Sequence, residues 1–465
     1  MTGGGIAGGL NHAIKQGNGM AGAPVWLRDP LAILAEDAAG GVVVQDGRIA
    51  ALLPAGAEPA VPAQVFDASA HVVLPGLINT HHHFFQTLTR AFPAALGRGL
   101  FDWLGALYPV WALLVPEAHE AASTLAMAEL LLSGCTTTTD HHYVFPAGLE
   151  DAIDIQIAAA RRLGLRVVLT RGSMNRSTSD GGLTPDSVVQ DEDTILADSA
   201  RLIARYHDPE EGAMAQIALA PCSPFSVTTS LMERTAALAA KTGVRLHTHL
   251  AETADEDRFC QQTLGCRPLD YLEQCGWLNE RTWLAHGIHF DDAEMQRLGR
   301  AGVAVTHCPC SNQLLASGTC RVCALEAAGV AVGLGVDGSA SNDASNLMQE
   351  VRAAFLVQRA QYGVGQVSHR DALRWATAGS ARCLGRPELG AIRVGAAADL
   401  ALFRLDEPRF SGAGDPLAAL VLCGAHRADR VMVGGRWVVE DGAVVGLDLP
   451  ALMHRHAAAA AALQG

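Results

Sequence analysis

The chain has 465 residues, 49% apolar and 18% charged, with a formal net charge of −14. That is enough apolar chain for a large core, and more than one small module needs. An acidic balance with no Lys/Arg-rich window excludes a phosphate-backbone binder, so no nucleic-acid partner is expected; no run of about 18 apolar residues indicates a membrane span.

In chain order, residues 1–23 are Gly-rich and lack the basic start and apolar core of a signal peptide. They read as a flexible extension, with the natural start nearer Met20. Eleven cysteines without a secretory signal point to free thiols and a cytoplasmic protein. Residues 24–70, with "GGVVVQDGRIAALLP", and 389–447, with "ADRVMVGGRWVVEDGAVVG", read as short alternating strands and Gly turns. They are expected to pair into one composite β-sandwich built from both chain ends. Residues 448–465 read as a terminal helix or tail.

Between them, residues 71–388 hold eight strand-like runs: 71–83, 134–143, 165–174, 215–225, 244–252, 282–290, 303–312 and 330–343. Amphipathic stretches such as "LEDAIDIQIAAARRLG" separate them, which predicts an α/β fold, a (β/α)8 TIM barrel. Each run starts apolar and ends polar. Wet loops explain Ser and Asn at strand ends, but not His at the ends of five of the eight runs. In such barrels chemistry gathers at the C-terminal strand ends.

The first run ends in three histidines. Strand alternation puts His81 and His83 on one face and turns His82 away. Two converging imidazoles are half of a metal site. His249 in "HTHLAE" and Asp337 in "GVDG" could complete it, leaving a position for water of lowered pKa. Glu252 follows His249 closely enough to reach over the metal without ligating it, as a proton shuttle; a helix-start glutamate making a cap is the competing reading. His286 should face the same mouth and steady developing negative charge. His307 in "THCPCSN" could orient substrate, or serve structure alone.

The order HxH, HxxE, H-G, H-C-P-x-S-N and V-D-G resembles the amidohydrolase superfamily, and within it the mononuclear aminohydrolase group. Binuclear members carry a lysine at the end of strand 4; here that strand ends "APCSPFSV", without one. The longer stretches "LPGLINTHHHFFQTLTRAFP", "FDWLGALYPVWA" and "GLGVDGSASNDASN" resemble the family that deaminates 8-oxoguanine. The resemblance implies hydrolysis of the C2 amino group of free 8-oxoguanine to urate and ammonia. It implies one divalent metal per subunit, Zn2+ with Fe2+ as the alternative, on His81, His83, His249 and Asp337. It assigns acid/base roles to Glu252, His286 and Asp337. Guanine deaminases of the superfamily usually grip the purine with an arginine after strand 4, which this loop lacks; that argues against plain guanine. Gln86 could read the purine amide edge, donating and accepting. Trp103 and Tyr143 could wall the ring, or be ordinary packing. A purine-like small molecule is the expected partner, and a homo-oligomer the expected assembly. The rival substrates are isoxanthopterin and a hydroxylated s-triazine. A non-catalytic barrel scaffold is a third reading, opposed by the intact ligand set and Glu252. Cys308, Cys310, Cys320 and Cys323 hint at a second, structural metal, but the spacing fits an ordinary barrel loop as well.

Overall fold

The computed structural model describes residues 23–465. Eight parallel strands close into a barrel: β1 Leu77–Asn79, β2 Cys135–His142, β3 Arg166–Ser173, β4 Ala215–Pro221, β5 Leu246–Leu250, β6 Thr282–His286, β7 Ala304–His307 and β8 Val332–Leu334. They neighbour one another in chain order, and β8 meets β1 where Leu334 pairs Asn79. Strands covered on both faces read as near-continuous apolar runs, as "LRVVL" does before and within β3. The α/β barrel expected from the alternation of elements is the fold observed.

The run 71–83 does not enter the barrel whole. His71–Pro75 pairs antiparallel with Leu400–Arg404 in an outer six-stranded sheet, so the barrel strand starts only at Leu77. Gly76 makes the break possible: a Cβ there would lie 2.1 Å from the Thr136 hydroxyl on β2. Beyond β1, His82–His83 pairs with Asp337–Gly338 beyond β8, a separate two-stranded bridge over the barrel mouth.

The six-stranded sheet also holds Ala32–Ile33, Arg430–Val433, Arg436–Glu440 and Ala443–Val444, so strands from both ends of the chain share it. A second sheet orders Arg48–Leu53, Gly41–Gln45, Val25–Arg28 and Gln64–Asp67. Leu27, Val42 and Ile49 from this sheet meet Val73, Leu400 and Met432 from the other in one apolar cluster. The barrel is tied to these sheets by a buried two-pronged ion pair: Arg166 Nε and Nη2 donate to the two Asp399 oxygens, each at 3.1 Å.

Helix α1, Leu100–Trp111, follows the first strand and lies over the barrel mouth; α2, Pro116–Leu132, packs on its side. The C-terminal helix, Leu449–Gln464, reaches the turn Phe84–Thr89: His456 Nε2 lies 3.0 Å from the Thr87 hydroxyl, and Gln464 Nε2 donates to Leu88 O at 2.6 Å. No helix among the described residues is long and apolar enough to cross a membrane.

Candidate active site

The bridge over the mouth brings the two ends of the barrel sheet together. His81, His83, His249 and Asp337 each offer one atom, and all four atoms lie within 4.8 Å of one another. Asp337 Oδ1 is 3.3 Å from Nε2 of both His81 and His83, and His83 Nε2 is 3.2 Å from His249 Nε2. His82 turns away, its Nε2 2.9 Å from the Ser345 hydroxyl.

Which nitrogens carry hydrogen follows from their partners. His83 Nδ1 lies 2.7 Å from the His141 carbonyl and His249 Nδ1 2.6 Å from the Cys222 carbonyl. A carbonyl only accepts, so each Nδ1 donates and each Nε2 is a bare lone pair. His81 Nε2 is buried with no hydrogen-bond partner. The alternative, imidazolium rings paired with Asp337, conflicts with their burial, which drives His81 well below its ordinary value and His249 down to about 3. Asp337 is buried too, but it accepts from the Ser311 hydroxyl at 2.6 Å and from Gly338 N at 2.7 Å, and such donors favour the ionised carboxylate. Neutral imidazoles whose lone pairs converge on an ionised carboxylate call for a cation between them. The separations suit it: ligands about 2.0–2.2 Å from a tetrahedral ion sit roughly 3.4 Å apart.

Three strand ends leave ordinary geometry here. Ala251, His286 and Asp337 have φ of +54°, +73° and +60°. Left-handed backbone is uncommon outside glycine, and such residues cluster at functional sites. Glu252 Oε2 lies 3.6 Å from His286 Nε2, and Asp337 Oδ2 lies 3.9 Å from it. Burial, with the Asp337 charge adding to it, pushes Glu252 up to about 8. Its main chain is held by Glu256, whose two oxygens accept from Ala251 N at 3.1 Å and Glu252 N at 2.9 Å. The cap of the following short helix is the Thr253 hydroxyl, which accepts from Glu256 N. The capping weighed for Glu252 therefore belongs to its neighbours.

The pocket encloses about 410 Å³ of non-atom space, including its opening to solvent. Among its walls are Gln86, Trp103, Tyr108, Tyr143, Glu252 and His286. Gln86 Oε1 is buried without a partner. Gly338 lies directly beneath it: a Cβ there would stand 1.8 Å from that oxygen. Trp103 is pinned by its Nε1, which donates to Ala340 O at 3.0 Å. The Tyr143 ring sits edge-on to His83.

His307 is not on this wall. It is fully buried, with Nε2 3.4 Å from Gln358 Nε2. The helix after it, Pro309–Leu314, sends in two groups instead: Ser311 donates to Asp337 Oδ2 at 2.6 Å, and Asn312 Oδ1 lies 2.9 Å from His286 Nδ1. Both stand in "HCPCSN", and Tyr108 stands in "FDWLGALYPVWA", so their motifs are visible in the sequence while their roles are not. All eleven cysteines are free. Cys310, Cys320 and Cys323 enter no metal-capable cluster among the described residues; only Cys308 joins one, with His286 and Asp337.

Parallel barrels that gather imidazoles and a carboxylate at their C-terminal strand ends form a class of hydrolases that work at a metal. The chain belongs to the amidohydrolase family, whose model matches residues 72–438. It is 62% identical over 442 residues to the 8-oxoguanine deaminase of Pseudomonas aeruginosa, covering 94% of this chain and 98% of that one. It is 36% identical over 408 residues to an isoxanthopterin deaminase from an unknown prokaryotic organism, covering 83% and 85%. Among solved structures, the zinc-complexed atrazine chlorohydrolase of Arthrobacter aurescens superposes with a TM-score of 0.87 at 33% identity, covering 95% of this chain and all of that one.

Proposed function

We propose that the chain hydrolyses the C2 amino group of free 8-oxoguanine, leaving urate and releasing ammonia, with one divalent metal per subunit on His81, His83, His249 and Asp337. Zinc is the ion proposed, with iron(II) its rival. The observation that carries the reading is the convergence of bare imidazole nitrogens on an ionised Asp337 at the floor of the pocket. The 62% identity to an 8-oxoguanine deaminase supports the substrate, and the zinc-complexed relative supports the ion. When bound, a divalent ion in such a set lowers the pKa of water toward neutrality and so supplies a nucleophile at pH 7.

The chain's own groups do the rest. As water attacks C2, Glu252 takes its proton; burial raises this carboxyl above the ordinary range, which fits it to give the proton on as well. During the attack Glu252 passes that proton to the ring nitrogen beside C2, because an unprotonated aromatic amidine is a poor electrophile. The second proton of the water, now on the C2 hydroxyl, passes to the amino nitrogen; the C2–N bond breaks, ammonia leaves and C2 becomes a carbonyl. His286 is held through Nδ1 by the Asn312 amide; with hydrogen on Nε2, which faces Glu252 and Asp337, it steadies the charge that develops on oxygen. Gln86 meets the purine amide edge, its free Oε1 accepting from a ring N–H. Trp103 and Tyr143 flank the ring. Among the described residues no lysine or arginine lines the pocket, which suits an uncharged lactam. Free thiols throughout suit the cytoplasm as its compartment.

The test is ammonia release from free 8-oxoguanine, guanine, isoxanthopterin and hydroxyatrazine by one metal-loaded preparation. The expected result is the highest kcat/KM on 8-oxoguanine. A higher value on isoxanthopterin or hydroxyatrazine replaces the substrate, and no release from any of them removes the deaminase reading.

A further inference from the structure

Two of the three imidazoles in the proposed ligand set fix their ring hydrogens directly on main-chain carbonyls: His83 on His141 and His249 on Cys222. His81 differs. Its Nδ1 meets another imidazole, Nε2 of His247, at 2.8 Å. Two facing ring nitrogens are ambiguous alone, because either can donate. The far side of His247 resolves them. Its Nδ1 lies 2.8 Å from the Trp283 carbonyl oxygen, which only accepts, so Nδ1 carries the hydrogen. The ring lies flat on the Trp283 indole, centroids 4.3 Å apart and planes 13° off parallel, and no carboxylate among the described residues pairs with it. Nε2 of such an uncharged ring is bare, and it accepts from His81 Nδ1. The lone pair of His81 is thereby left on Nε2, toward Asp337.

The barrel ladder builds this arrangement. In the β5–β6 pairing, His247 stands opposite Trp283, one level below His249 opposite Ala285. The ring that reaches inward at that level touches both the β6 main chain and His81, just beyond β1.

We propose that His247 is a positioning residue for the metal centre: a one-imidazole relay that carries the acceptor character of the Trp283 carbonyl to His81 and so presents His81 Nε2 as a ligand. The inference rests on the reading of His81 as a metal ligand. The competing role is filling, in which the ring only packs the barrel interior against Trp283.

Crossed substitutions separate the two. In His247→Gln, an amide oxygen near the place of Nε2 can accept from His81, but the stacked ring is lost. In His247→Phe the ring stays and the acceptor goes; His247→Leu takes its place if that variant does not fold. The readouts are the zinc Kd of stripped protein, by competition with a chromogenic chelator, and Tm. A relay predicts zinc binding about 10–100-fold weaker in His247→Phe, the usual worth of a hydrogen-bond partner behind a ligand, and close to the parent in His247→Gln. Parent-like affinity in His247→Phe, or equal loss in both variants, overturns the relay. A parent that takes up no zinc overturns the metal reading itself, and the relay with it.

Discussion

Exchanging one carboxylate oxygen of Glu252 for an amide nitrogen keeps the shape of the side chain and removes its proton. Glu252→Gln should keep a normal metal content and Tm while kcat falls about a hundredfold or more. KM should change much less, since ground-state contacts survive. Elemental analysis, melting and ammonia release on one variant check this; normal turnover would move the proton shuttle to Asp337 alone. The histidine triplet gives a second test at this scale. His81→Ala and His83→Ala should each lose the metal, and His82→Ala should keep it, because its imidazole bonds Ser345 instead. Metal loss in His82→Ala with retention in His83→Ala would mean that the register is wrong. The alternation behind this needs only period two, so it is readable from three consecutive letters. The tautomers that make the nitrogens ligands are not, because they depend on carbonyls of His141, Cys222 and Trp283, on or just past other strands.

At the scale of elements, the end of β5 is held by a carboxyl rather than by its helix alone. Burial, outweighing the two N–H bonds it accepts, pushes Glu256 up to about 8 from the ordinary 4.5. A folded pKa above the unfolded one lends stability that is full below about 4.5 and is lost as pH rises through about 8. Glu256→Gln lacks this titration. Its Tm should therefore gain on that of the parent between about pH 5 and pH 9, measured by calorimetry in matched buffers; parallel curves would show that Glu256 does not titrate in that window. The signature "TADE" at 253–256 has the spacing of a capping box, but the Glu256 carboxylate turns to Ala251 and Glu252 instead of Thr253. Sequence spacing locates such a helix start; it does not say which amides the carboxylate serves. The eight strand–helix alternations are readable for the same reason the triplet is, through local periodicity. The split of run 71–83 is not, because it arises from the contact of Gly76 with Thr136 on another strand. Nor is the exclusion of His307, since a strand-end histidine looks the same whether it faces the pocket or Gln358.

At the scale of the molecule, Arg166 stands at the start of β3, the end of the barrel away from the pocket, and grips Asp399 beside the outer sheet. Asp399→Ala would strand a buried guanidinium, at a cost of about 3–5 kcal/mol. Denaturant unfolding should show that loss, while kcat measured well below the lowered Tm should stay near the parent's, because nothing in the pocket is touched. A fall in kcat matching the fall in stability would mean that the outer sheets and the mouth are coupled. The same sheets set a timetable for synthesis. His71–Pro75 has Leu400–Arg404 as its partner, roughly 325 positions downstream. At about 5–20 residues per second on the ribosome, the early strand waits roughly 15 to 65 seconds for that partner to emerge. Throughout that interval its edge lacks its native partner and is open to any other strand, the kind of exposure that chaperones cover.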